Sequence, residues 1–394
     1  MNDRIHRFAA PLAVDDLLGQ YQAGSSFFAS SSQAMLAQGV RASLPACASN
    51  RLAAAAASLL ADACRDGVRA PRLIGAVPFR PDAPARLILP EHTLLTARGD
   101  MLPATAAAVN TVASRTAMAP APQRYRDNVA SALAAIAKGR FDKVVLSRSL
   151  TLQARIDVQA LLRQLYQANT QAYRFAVALD DGRSLLGASP ELLLARRGRM
   201  VSSRPLAGSI ARSSDPQEDQ RRAAALLRSA KDRREHALVV DAVAEALRPF
   251  CRSLQVPAEP ELHATPTMWH LASAVHGELA DPAHSSLALA LALHPTPAVC
   301  GHPTEAAQDF IAEVEGFDRG YFTGLVGWCD AEGDGEWAVT IRCAELGLDS
   351  ATLYAGAGIV AGSEPALELA ETSAKLRTML LAMGLDVDVD TEAA

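Results

Sequence analysis

Hydrophobic positions in this chain follow two rhythms that alternate along its length. Tyr125 to Lys138 spaces its apolar residues at helical intervals. The segment "DKVVLSRSLTLQA" that follows reads as a strand. Next, "RFAVALDDGRSLLGASPELLLARRGRMVSS" is a series of apolar runs broken at Asp181-Gly182 and Arg197-Gly198, which predicts an antiparallel meander. Helices are predicted over about Pro216 to Ser229 and Lys231 to Phe250. A hairpin is predicted over "YFTGLVGWCDAEGDGEWAVTIRCAEL", with its turn near Gly333-Asp334-Gly335. The strand "ATLYAGAGIV" then leads into a last helix, with Pro365 near its first position. Meanders separated by helices imply an α+β layered fold, not a parallel βαβ array.

The pattern is loosest at "ATAAAVNTVASRTAMAPAPQ", Ala104 to Gln123. This predicts a soft division between a more variable part, residues 1–122, and a denser region, residues 123–394, within one intertwined domain. With 394 residues, 49% of them apolar and 21% charged, the chain is globular and long enough to bury a large core. A net charge of -5 gives no reason to expect nucleic acid as a partner. The opening "MNDRIHRFAAPLAVDD" has no continuous apolar run of the secretory kind. The longest greasy stretch, Leu52 to Cys64, is too short and interrupted to span a bilayer. Six cysteines without C-x-x-C spacing suit reduced thiols. The expectation is a cytoplasmic protein with no membrane partner.

Candidate chemistry begins in "ELAETSAKL", where Glu368, Glu371 and Lys375 fall on one helical stripe. Alone, this is an ordinary solvated face, and the Glu371–Lys375 pair is worth roughly 0.3–0.5 kcal/mol. "AKDRREHALVVDAV" repeats the motif with Asp232 and Glu235 at i and i+3. Alone, these are acids at the favourable end of a helix dipole. Together, two distant helices each offer an acidic pair. Magnesium is commonly held by one or two carboxylates plus waters and substrate oxygens. One Glu from each helix would bind directly and the other acids through water. No thiolate or His-rich spacing argues for zinc.

"GAGIVA", Gly356 to Ala361, fits the dinucleotide fingerprint G-x-G-x-x-A. That motif needs a helix to begin inside the glycine loop. Pro365 delays the helix here, and Glu364, Glu368 and Glu371 would repel a pyrophosphate. Gly356 and Gly358 serve better as a bare strand face that lets a ligand approach the backbone. In "EWAVTIRC", Ala338, Thr340 and Arg342 alternate with Trp337, Val339 and Ile341. The first set is two small residues and one anion-binding guanidinium. Two cleared strands ahead of a carboxylate helix outline a pocket.

These segments, in order with "LLGASPELL", "RPLAGSIARS", "PTMWHLAS", "LALHPTPAVCGHP" and "GYFTGLVGWCD", resemble the chorismate-utilising enzymes. That family includes isochorismate, salicylate, anthranilate and aminodeoxychorismate synthases. The resemblance is dense over Tyr125 to Leu385. It implies a four-layer α/β/β/α sandwich of the anthranilate synthase component I type, with the active site between two sheets. It also implies magnesium and chorismate, a cyclohexadiene carrying two carboxylates.

By that resemblance, Glu235 and Glu371 are metal ligands, and Asp232 and Glu368 act through water. Arg342, the Gly356 backbone and Lys375 match the grip on the pyruvyl carboxylate. Gly208 and Ser209 match the loop that meets the ring carboxylate, and His270 lies near the ring. Lys143 matches the base that activates water at C2, and Glu191 the acid that protonates the departing C4 hydroxyl. Lysine at 143 suits water as the nucleophile. Pyruvate-eliminating members read more like P-x-x-T-x-S-G where this chain has Ala298 and Cys300 before Gly301. The alanine favours stopping at isochorismate.

The forms "HPTP" and "VGWCD" look most like isochorismate synthases of catecholate-siderophore pathways. Salicylate synthase and a menaquinone-pathway member are the alternatives. No glutaminase nucleophile elbow is present, so no glutaminase subunit is expected, and the expected state is a monomer.

Overall fold

The structure is a computed structural model that describes residues 13–97, 113–169, 171–385, 387 and 389. The opening segment up to Pro11 and Leu12, much of the loose stretch after Ala104, and most of the acidic tail lie outside the described residues. Among the described residues there are two large sheets, of ten and nine strands, with a three-stranded sheet beside them. The large sheets face one another. Phe28, Met35, Phe175 and Val177 of the first pack on Ile74, Ile88, Val326 and Trp328 of the second.

Helices cover both outer faces. Val14–Gly19, Val158–Ala168 and Pro365–Ala382 lie on the ten-stranded sheet. Ser49–Arg65, Ala230–Leu247 and Ser286–Leu293 lie on the nine-stranded one. Each fully buried Leu or Phe in these clusters stabilises the fold by about 1.5–3 kcal/mol. The result is four layers in the order α/β/β/α. Strands from before residue 123 enter both sheets: Ser26–Ala29 pairs with Tyr173–Ala178, and Arg72–Val77 with Leu325–Asp330.

Six elements carry the site: β1 (Lys143–Ala154), β2 (Leu206–Ala211), α1 (Ala230–Leu247), β3 (Met268–Ala272), β4 (Ser350–Val360) and α2 (Pro365–Ala382). β1 and β4 pair antiparallel from Lys143 opposite Val360 to Gln153 opposite Ser350. The Gly356 and Gly358 positions therefore lie inside an extended strand, not in a loop at a helix start. α1 begins where Ser229 Oγ accepts the Asp232 N–H at 3.2 Å, and α2 begins at Pro365, whose missing N–H costs nothing there.

The expected meander is split between the two sheets. Tyr173–Ala178 and Ser184–Ser189 belong to the ten-stranded sheet, while Leu192–Arg197 and Met200–Arg204 belong to the nine-stranded one. The chain changes sheet at Pro190-Glu191, and a proline cannot donate to a ladder. The run "EWAVTIRC" breaks in the same way. Trp337 and Val339 face the outer core and Ala338 faces the opposite sheet, as the alternation predicts. The strand then ends at Val339, and Cys343–Leu346 joins the other sheet. Arg342 takes a left-handed backbone with φ 51° at this second crossover. It does not share a strand face with Ala338 and Thr340, because period-2 alternation reports a side of a strand, not which sheet the strand joins.

Candidate active site

Both crossovers open onto one cavity between the sheets. Glu191, Gly208, Ser209, Glu235, His270, Arg342, Gly356, Glu371 and Lys375 line it. Lys143, Asp232 and Glu368 do not line it and stand immediately behind its wall. The Lys143 Nζ lies 2.9 Å from Glu235 Oε1. Asp232 packs under Gly208, where a Cβ would come within 2.9 Å of Asp232 Cβ and the backbone takes φ 74°. Glu368 Oε1 accepts from Lys231 Nζ at 2.8 Å.

The carboxylates and lysines are interleaved. On α2, Lys375 Nζ lies 2.5 Å from Glu371 Oε1 and donates to the Gly356 carbonyl at 2.8 Å. That contact fixes the helix against β4. On β1, Lys143 is fully buried. Its ion pair with Glu235 is close, yet Nζ has no aligned hydrogen-bond acceptor among the described residues. Gly358 makes the pair possible: a Cβ there would sit 2.1 Å from Glu235 Oε1 and 3.0 Å from Lys143 Cε. The ion pair thus packs against the bare position at Gly358, and both Gly356 and Gly358 border the cavity.

Electrostatics separate the acids by role. Burial pushes the Glu191 carboxyl up to about 7, against the opposing pull of the Leu206 N–H, Lys143, Arg342 and Lys375. Burial also raises Glu368 to about 7, with Glu371 adding repulsion. For Glu371 burial acts upward, but Lys375 outweighs it and the carboxyl lies below its ordinary range. Burial lifts Asp232, and Glu235 and Glu371 lift it further.

The cations respond in the opposite sense. Burial lowers Arg342 to about 10 while Glu371 and Glu191 hold it up, so it stays charged at neutral pH. Burial, then Arg342 and Lys375, drive His270 well below its ordinary value, so its ring is neutral. His270 Nε2 faces Arg342 Nη2 at 3.3 Å and accepts its N–H in that state. The tautomer carrying the proton on Nδ1 follows from that contact.

Among the described residues, the buried donors that lack an aligned hydrogen-bond acceptor include Ser209 Oγ, Arg342 Nε and, beyond its ion pair with Glu235, Lys143 Nζ. An unpaired buried donor costs about 1–3 kcal/mol. Ser209 and Arg342 line a cavity that also holds Lys375, so an anionic ligand would relieve that cost. The four acids fit a hard dication, since they offer oxygen only and their mutual repulsion is what a 2+ charge removes. Among the described residues no three His, Cys, Asp or Glu side chains converge as a ready ion cage. In this structure Lys143, Lys231 and Lys375 neutralise the acids instead.

Sequence reasoning did not single out Lys231, Val299, Phe322 or Thr323, of which the last three line the cavity. Val299 and Phe322 are apolar and look like any core residue. Thr323 carries a signal only in three dimensions, a β-branched residue at φ 62°. Ala298 lines the cavity. Cys300 does not: its thiol is fully buried, donates to Thr304 O at 3.7 Å and is pushed up to about 12 by burial.

The family model described as chorismate binding enzyme matches residues 83–384. The chain belongs to the chorismate-binding enzyme family. It is 51% identical over 387 residues to isochorismate synthase DhbC of Bacillus subtilis, covering 95% of this chain and 97% of that one. It is 46% identical to the vibriobactin-specific isochorismate synthase of Vibrio cholerae, covering 92% of each. The crystal structure of DhbC from Bacillus anthracis superposes with a TM-score of 0.90 at 46% identity, covering 94% of this chain and 100% of that one. Anthranilate synthase component I of Streptococcus pneumoniae shares the fold, with a TM-score of 0.65 at 24% identity over 78% of this chain and 80% of that one. Among the described residues no helix is long and apolar enough to cross a membrane, and all six cysteines are free thiols.

Proposed function

We propose that this enzyme converts chorismate to isochorismate and that the product feeds a catecholate siderophore. The observation that carries the reading is one cavity that joins a protonatable buried acid, Glu191, to anion-seeking donors on Arg342, Lys375 and Ser209. The near-full-length identity with isochorismate synthases, one of them vibriobactin-specific, supports the reaction and the pathway.

Arg342 and Lys375 hold the pyruvyl carboxylate, and the Gly208–Ser209 loop meets the ring carboxylate. Two fixed ends orient the ring, which lowers the barrier by prepositioning. Lys143, paired with Glu235 behind the wall in this structure, takes a proton from the water that forms the new bond at C2 when it is freed from that pair in its neutral amine form. As the new C2–O bond forms, the C1=C2 double bond shifts to C1=C6, the C5=C6 double bond shifts to C4=C5, and the C4–O bond breaks. Glu191 gives its proton to the departing C4 hydroxyl, which leaves as water. One water enters, one leaves, and no electrons are exchanged with a redox partner. His270, neutral and buried, keeps the Arg342 guanidinium aimed.

Glu235 and Glu371 would hold magnesium directly, with Asp232 and Glu368 through water. When bound, the ion supplies charge stabilisation at the ring carboxylate, a contribution of several kcal/mol in other enzymes. The small Ala298 wall supports retention of the enolpyruvyl ether. Purified protein given chorismate and magnesium tests the reading by proton NMR of the products. Isochorismate supports it. Salicylate with stoichiometric pyruvate would replace it by a pyruvate-eliminating synthase.

A further inference from the structure

Behind the cavity wall lies a second guanidinium, that of Arg319, almost wholly buried. Arg319 and Glu315 form an ion pair in which each side chain is 2% exposed. A guanidinium has five N–H groups, and all of Arg319's are used. Nε donates to Glu315 Oε2 at 2.8 Å and Nη2 to Glu315 Oε1 at 2.5 Å. Nη2 also donates to the Val145 carbonyl at 2.8 Å. Nη1 donates to the Val299 carbonyl at 2.8 Å and to Thr323 Oγ1 at 3.3 Å. Phe79 and Phe322 lie over the guanidinium, with ring centroids 4.5 Å and 6.0 Å away. Glu315 Oε1 closes the set by accepting the Ser147 N–H at 2.8 Å.

Val145, Val299 and Thr323 all line the cavity, and they come from three separate segments of the chain. Val145 is two residues from Lys143 on β1. Thr323 stands in a left-handed backbone, φ 62°, a costly place for a β-branched residue. Its N–H reaches the Thr340 carbonyl at 2.8 Å, and its hydroxyl is one of Arg319's acceptors.

We propose that Arg319, held by Glu315, is a positioning residue that fixes the ring-facing wall relative to the base on β1. It acts on the chemical step and not on substrate capture, because Arg342, Lys375 and Ser209 are outside its hydrogen bonds. A lysine cannot replace it, since an ammonium has neither the fork nor the flat faces. The inference rests on the isochorismate synthase reading.

Steady-state kinetics of Arg319→Lys, Thr323→Val and Thr323→Ser test it, with wild type assayed alongside. Thr323→Val removes one acceptor without changing the charge of the pair. It lowers kcat about tenfold while KM for chorismate stays within about twofold, and Thr323→Ser restores kcat to near wild type. Arg319→Lys lowers kcat by about tenfold or more, again with KM nearly constant. Folded variants with wild-type kcat, a rise in KM with unchanged kcat, or a Thr323→Ser as slow as Thr323→Val would overturn it. Absence of isochorismate from the wild type itself would instead remove the functional reading beneath it.

Discussion

Glu191 and Arg342 stand at two of the places where the chain passes from one large sheet to the other, and these two passages are stitched together. Val339 N donates to the Glu191 carbonyl at 3.1 Å, and Ala188 N donates to the Arg342 carbonyl at 3.1 Å. Each crossover thus borrows ladder partners from the other. An acid and a guanidinium, 151 positions apart in the sequence, are held at one seam with both side chains buried. A seam between sheets is the one place where a polar cavity interrupts an otherwise apolar interior, and its walls are rigid because both sheets anchor it.

The alkaline limb of the pH profile follows from Glu191. To protonate the departing hydroxyl it must carry its proton. Burial raises this carboxyl to about 7, so the competent form dominates below that pH and is lost as pH rises through it. A dianionic substrate pushes the same way and moves the limb upward in the complex. The kcat profile of wild type falls on the alkaline side, and Glu191→Gln loses that limb along with about 10²–10⁴-fold in kcat. A stopped or continuous assay from pH 6 to 9 checks both.

Lys143→Ala removes the proposed base. Turnover falls about 10²–10⁴-fold, while chorismate still binds, because its carboxylates are held elsewhere. Titration calorimetry with chorismate and a coupled product assay give the two numbers. The variant also leaves Glu235 buried without its lysine. Its melting temperature drops, since breaking a buried pair costs roughly 3–5 kcal/mol.

Gly358→Ala tests the close approach of α1 to β4. The new Cβ would fall 2.1 Å from Glu235 Oε1, so the carboxylate must move. Calorimetry is expected to show magnesium binding weakened by about 10–100-fold, the size of effect that displaced supporting groups have on metal sites. Unchanged affinity would mean that Glu235 is not a ligand.

Glu235→Gln and Glu371→Gln each remove a negative charge from a different helix. Both variants need more magnesium for half-maximal rate and bind it more weakly by calorimetry, by about tenfold or more. Chelation of the wild type abolishes turnover and added magnesium restores it. A magnesium response identical to wild type in either variant would place the ion elsewhere.

Much of this was legible in the chain. The i,i+3 acids on two helices were visible as stripes, and the structure puts Glu235 and Glu371 on one cavity. The glycines of β4 were recognisable as cleared positions on a cavity wall, though not that Gly358 also makes room for an ion pair. Alternation marked Trp337 and Val339 correctly and failed at Thr340, because the strand ends there and no periodicity announces a change of sheet. The partners of charged residues were also hidden. Lys143 meets Glu235 across 92 positions and Lys231 meets Glu368 across 137, and only packing decides such pairs. Nothing in the sequence marks out Arg319, yet it is buried with every donor used.

Oxygen tracing tests the central claim most directly. The enzyme is incubated with chorismate and magnesium in water enriched in ¹⁸O, and the product is read by mass spectrometry and NMR. The account predicts isochorismate carrying one solvent oxygen, on C2, with the original C4 oxygen released. Unlabelled isochorismate, or pyruvate formed in step with chorismate loss, would contradict it.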